Sequence, residues 1–116
     1  MNEFVLIFRT DYLPEEKFSP DAMQSMMQHW QNWMGSIAAQ NKLVNTGNRL
    51  GSNGAILKPG NVITNGPYTE IKEIITGYII IRAESIDEAA EVAKGCPLVV
   101  GGEGQIEVRN IIPMNG

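Results

Sequence analysis

The chain has 116 residues and a mass of 12.8 kDa, is 43% apolar and 19% charged, and carries a net charge of −4. That is the size and composition of one folded domain spanning residues 1–116, and it excludes a disordered or collagen-like chain. With 9 basic residues against 13 acidic ones and no basic cluster, an electrostatic nucleic-acid binder is excluded too. Folding at this mass reduces about 18,600 Å² of unfolded surface to roughly 6,300 Å², enough burial for a core without disulfide staples or a structural metal. Cys96 is the single cysteine, which fits a reducing, cytoplasmic setting. No apolar run is long enough to span a membrane, and Asn2 and Glu3 stand where an export leader would carry Lys or Arg.

In chain order, Glu3 to Arg9 reads as a strand, apolar at every position from Phe4 to Phe8 and so covered on both faces. Ser19 and Pro20 have the N-cap and first-turn chemistry of a long helix. Met23, Met26, Met27, Trp30, Trp33, Met34 and Ile37 fall on one stripe of it, and the spacing ends it near Gln40 to Lys42. Short strands follow near 43–50, 55–58 and 61–64. The last two are joined by Pro59-Gly60, where Pro presets one turn position and Gly supplies a positive φ at the next. Asn65 to Glu73 reads as a turn and an irregular piece. Gly77 to Ala83 is a second strand apolar on both faces.

Ser85 and Glu88 have the spacing of a capping box, opening a helix with Ile86, Ala89, Ala90 and Ala93 on one stripe. Gly95 and Pro97 end it, and Gln105 to Ile112 forms the last strand. This order predicts an α+β fold, the ferredoxin-like βαββαβ arrangement with an inserted β-hairpin. Helices on one sheet face leave the other bare. Strands apolar on both sides then call for a homodimer, sheet against sheet.

Asn65 to Glu73 reads N-G-P-Y-T-E-I-K-E, and G-Y-I-I-I-R-A-E-S-I-D-E-A, G-C-P and I-E-V-R-N-I follow it. These strings, together with Trp30 and Trp33 and the T-G-N-R-L-G segment, resemble the D-G-P-F branch of the YCII-related family over nearly the whole chain. The G-P-[FY]-x-E-x-K-E string is the specific part of the match. The resemblance implies a dimeric α+β barrel and cofactor-free chemistry or binding; the branch is also associated with regulation of extracytoplasmic-function sigma factors. The related YciI-type proteins have a proposed His–Asp pair, which does not carry over. Asn65 replaces the motif's Asp and cannot act as a general acid or base near neutrality, while His29 is offset from the corresponding histidine.

The catalytic candidates are His29, the only side chain titrating near neutrality in its unperturbed state, with Tyr68 and Glu70. Trp33, Asn65, Tyr68, Glu70, Lys72, Glu73 and Tyr78 are the ligand-binding candidates, around a cleft between the first helix, the sheet and the 65–73 turn. Each also has a plainer reading: His29 as a boundary residue, the Trp and Met stripe as core, and Glu70, Lys72 and Glu73 as solvated turn charges. The glycine-rich strings match no phosphate-binding spacing, and one His with one Cys makes no metal set, so neither metal nor cofactor is expected. Two functional readings result: a homodimeric small-molecule binder or cofactor-free enzyme, and a non-catalytic regulatory or interaction module.

Overall fold

The computed structural model describes residues 1–12, 17–51, 53–66 and 74–114. Its elements are β1 (Asn2–Thr10), α1 (Pro20–Ala39), β2 (Leu43–Arg49), β3 (Gly54–Lys58), β4 (Val62–Gly66), β5 (Ile74–Ala83), α2 (Ile86–Ala93), α3 (Pro97–Val100) and β6 (Gln105–Asn110). Four strands form an antiparallel sheet in the order β2-β5-β1-β6, and β3 and β4 form a separate two-stranded sheet. This is the ferredoxin-like order with an inserted hairpin.

The ends of α1 are fixed by local hydrogen bonds. Ser19 Oγ accepts from the Ala22 amide at the N-cap. At the other end Asn41 takes a left-handed φ of 58°, and the amides of Asn41 and Lys42 return to the carbonyls of Ala38 and Ile37. That is a Schellman closure with Asn in the usual Gly position. Ser85 Oγ accepts from the Glu88 amide and caps α2 in the same way as Ser19 caps α1.

The core lies between the sheet and the helices. Phe4, Leu6 and Phe8 of β1 and Ile79, Ile81 and Ala83 of β5 meet Trp33 and Ile37 of α1, Ala89 and Ala93 of α2, and Leu98 of α3. Alanine at the α2 contact lets that helix lie close. Ile86, placed on the same stripe from the sequence, is 48% exposed, because it stands in the first turn beyond the sheet edge of the contact. Pro97 does not simply stop α2: it opens the short helix α3 at its first position, where its missing N–H costs nothing.

Strand alternation puts Val5, Ile7 and Arg9 of β1, Tyr78, Ile80 and Arg82 of β5, and Glu107 and Arg109 of β6 on the opposite face. The buried helix residues of the core all meet the other side. Gly77 belongs to the helix side, and β5 begins three residues earlier than its apolar run suggests. Asn65, placed in a turn from the sequence, continues β4 and pairs with Ala55.

Candidate functional site

Helix α1 packs unevenly. Its C-terminal half carries the buried Trp33 and Ile37, whereas Met23, Met26 and Trp30 are half-buried and Met27 is exposed. The stripe is continuous, but its N-terminal part stands over a cavity instead of on the sheet. That cavity measures about 480 Å³, within the range of small-molecule sites. Met23, Met26, Met27, Trp30 and Met34 form the helical wall, with Phe8, Ile79 and Leu98 as the floor. The Phe8 and Trp30 rings meet edge to face at 4.7 Å, which holds the indole against the floor.

The opposite wall is polar and comes from the irregular ends of β2 and β5. Two register shifts in β2 and one in β1–β5 pairing disturb the ladder here, and Thr76 is the extra residue on β5. Gly47 has a φ of +65°, and the Asn45 side chain accepts from its amide at 2.7 Å. A Cβ at Gly47 would overlap the Tyr78 carbonyl oxygen, so this bulge requires glycine. The consequence is a polar rim of Thr46, Arg49 and Thr76 on the cavity, with Gln31 of α1, while Asn48 borders it with its side chain turned to Tyr78. Thr10, only 1% exposed, reaches the same cavity and donates from its hydroxyl to the Tyr12 carbonyl.

The residues singled out from the sequence do not all converge here. His29 is exposed and is not part of the cavity wall. Trp33 is buried, its indole N–H donating to the Val92 carbonyl at 3.1 Å, so it fastens α1 to α2; Trp30 is the indole at the cavity. Tyr78 borders the cavity, yet its register with Ile7 puts its side chain on the open sheet face, where its hydroxyl accepts from Asn48 Nδ2 at 3.2 Å. Asn65 is exposed in β4. Tyr68, Glu70, Lys72 and Glu73 lie outside the described residues. The bordering residues Thr46, Asn48 and Arg49 were missed, although the T-G-N-R string pointed at them: a glycine inside a strand marks a bulge or a close approach.

A second hollow of about 270 Å³ is bordered by Arg9, Thr10, Asp11, Lys17 and Glu103. Both of its cations are paired: Lys17 Nζ lies 3.1 Å from Glu103, and Arg9 lies 2.7 Å from Glu107. Hydrogen bonds from Lys17 and Tyr12 hold the Glu103 carboxyl below its usual range, and burial pushes the Tyr12 phenol up to about 12. Cys96 is fully buried, and that burial pushes its thiol up to about 12, which makes it a packing residue rather than a nucleophile. Among the described residues no group of His, Cys, Asp and Glu could hold a metal ion, and no helix is long and apolar enough to cross a membrane.

Comparison with known proteins agrees with this architecture. One solved structure with the same fold is 5-chloro-2-hydroxyhydroquinone dehydrochlorinase from Burkholderia phenoliruptrix AC1100, in complex with 2,5-dihydroxybenzoquinone. It superposes with a TM-score of 0.51 at 18% identity, over 97% of this chain and 96% of that one. None of the proteins with curated descriptions matches the sequence. The model of the YCII-related domain matches residues 6–115. With nearly every element of the fold inside that match, the chain belongs to the YCII-related family.

Proposed function

We propose that this protein binds a flat, largely apolar small molecule in the cavity under α1, and does so as a homodimer joined through the open sheet face. The observation that carries the binding reading is the cavity itself, with four methionines and Trp30 on one wall and most of its hydrogen-bonding groups on the other. Methionine walls adapt to ring shapes, and a single polar rim orients a ligand by its oxygen substituents. A molecule of one or two rings with a hydroxyl, keto or carboxylate group fits this division, with the group toward Thr46, Arg49 and Thr76. The hydroxylated quinone held by the dehydrochlorinase of the same fold has this chemistry.

The homodimer rests on Val5, Ile7, Tyr78 and Ile80, an apolar centre on a face where no core helix lies. Arg9, Arg82, Glu107 and Arg109 around it carry both signs, as a patch that meets its own copy requires. Tyr68 and Glu70, which follow β4 in the chain, are the acid–base candidates for cofactor-free catalysis, with Lys72 and Glu73 as ligand-binding candidates. A second reading, a non-catalytic regulatory module such as a partner of sigma-factor control, is favoured by one observation. Among the described residues lining the cavity, none is a serine, cysteine, histidine, lysine or carboxylate, and His29 stands outside.

The test is thermal shift against 1-naphthol, hydroxylated benzoquinones and aromatic carboxylates, with Met26→Glu as the control variant. A true ligand at a hundredfold excess over Kd stabilises by about 2.7 kcal/mol. The reading predicts a shift with at least one class that Met26→Glu abolishes. No shift from any class at millimolar concentration contradicts it. Spectral conversion of the bound compound identifies a catalyst, and binding without conversion identifies the module.

A further inference from the structure

The β3–β4 hairpin is the one part of the fold that the core does not explain. Among the described residues its strands pair only with each other, and a two-stranded hairpin alone is marginally stable in water. A hairpin built for solvent would carry polar residues on at least one face. This one exposes large aliphatic side chains on both, with Thr64 and Lys58 beside them on the second. Leu57 and Ile63 are cross-strand partners and are 68% and 69% exposed, while Ile56 and the 51%-exposed Val62 lie on the other side. Lys58 is its only charged side chain.

We propose that this arm docks on a second copy of this chain, its Leu57–Ile63 face completing the interface that begins at the open sheet face. The inference rests on the homodimer of the proposed function. Surface area supports it. The chain exposes 7817 Å², against roughly 6,300 Å² for a compact chain of this mass, and the excess is larger than the ~800 Å² that each partner buries in a specific interface. The radius of gyration of 15.5 Å likewise exceeds the roughly 13.4 Å of a compact chain of this length.

On the open sheet face Val5, Ile7, Tyr78 and Ile80 are already half-buried by their neighbours, whereas Leu57 and Ile63 of the arm are about two-thirds exposed. The arm holds the exposed aliphatic surface that the sheet face lacks. A two-fold dimer uses each arm once on each partner, so one hairpin sequence supplies two contacts. The arm also begins at the ligand cavity. Leu50 donates to the Thr76 carbonyl at 2.9 Å at its base, and both residues line the cavity, so docking the arm steadies the cavity's polar wall.

The test is sedimentation equilibrium on the full chain, on Leu57→Lys/Ile63→Lys, and on Ile7→Lys. The proposal predicts a dimer for the unsubstituted chain, dissociation by Ile7→Lys, and at least a tenfold weaker dimer for the arm variant with its far-ultraviolet circular dichroism unchanged. A dimer of full affinity in the arm variant, with Ile7→Lys still dissociating, overturns the arm and leaves the sheet-to-sheet dimer standing. A monomer at every concentration overturns both. Hydrogen exchange on the unsubstituted chain keeps the test independent of how the variants fold. The Leu57 and Ile63 amides should slow as concentration rises, and rates independent of concentration contradict the docking.

Discussion

Cys96 separates burial from reactivity. Burial pushes its thiol up to about 12, against the weaker opposing pull of the Leu98 and Val99 amides. The thiolate is the reacting species, so at pH 8 the native protein should label with a thiol reagent orders of magnitude more slowly than the urea-unfolded chain. Equal rates would contradict its burial. Gly47 and Gly60 offer a second contrast. Both have positive φ, but a Cβ at Gly60 meets open space, whereas at Gly47 it collides with the Tyr78 carbonyl. Gly60→Ala should cost about 1 kcal/mol, and Gly47→Ala more than ~3 kcal/mol, in urea unfolding. Similar costs at the two sites would mean that the bulge can relax. The sequence marks both positions as glycine in turn-like strings; only the packing of β2 on β5 separates them.

At the scale of elements, the arginine pairs of Glu107, one across β1–β6 and one within β6, contribute to the acid limb of stability. Arg9 and Arg109 both donate to Glu107, at 2.7 and 3.1 Å, and these bonds hold its carboxyl below the usual range. A lowered folded-state value stabilises the fold above the unfolded value near 4.3, and the contribution is lost as pH falls through the folded value. The melting temperature should therefore drop below about pH 4, and Glu107→Gln should flatten that drop. An unchanged slope in the variant would remove Glu107 from the account. His29→Ala should change stability by less than about 0.5 kcal/mol, since the side chain is exposed.

The elements were well marked in the sequence because their signals are local: Ser19-Pro20, the Ser85–Glu88 pair, and the apolar runs of β1 and β5. What was not legible depends on distance between elements. The α1 stripe has one period throughout, and nothing in it shows that Trp33 is buried against α2 while Trp30 faces a cavity. That division follows from the Trp33–Val92 bond and from Gly95, where a Cβ would sit 3.0 Å from the Trp33 ring. Helix α3 was missed for a similar reason: Pro97 signals both a stop and a start.

At the scale of the molecule, the ferredoxin-like sheet divides two proposed tasks. One face and its helices enclose the cavity, and the other face, with the β3–β4 arm, is assigned to a second copy. The four methionines of the cavity wall lie well away in sequence from Met1 and Met114, which are 62% and 100% exposed. This gives an internal control within one labelled sample. In a spectrum of the protein carrying ¹³C-methyl methionine, titration with 1-naphthol should move the signals of Met23, Met26, Met27 and Met34 and leave Met1 and Met114 in place. Six unmoved signals, or shifts confined to Met1 and Met114, would contradict the binding cavity.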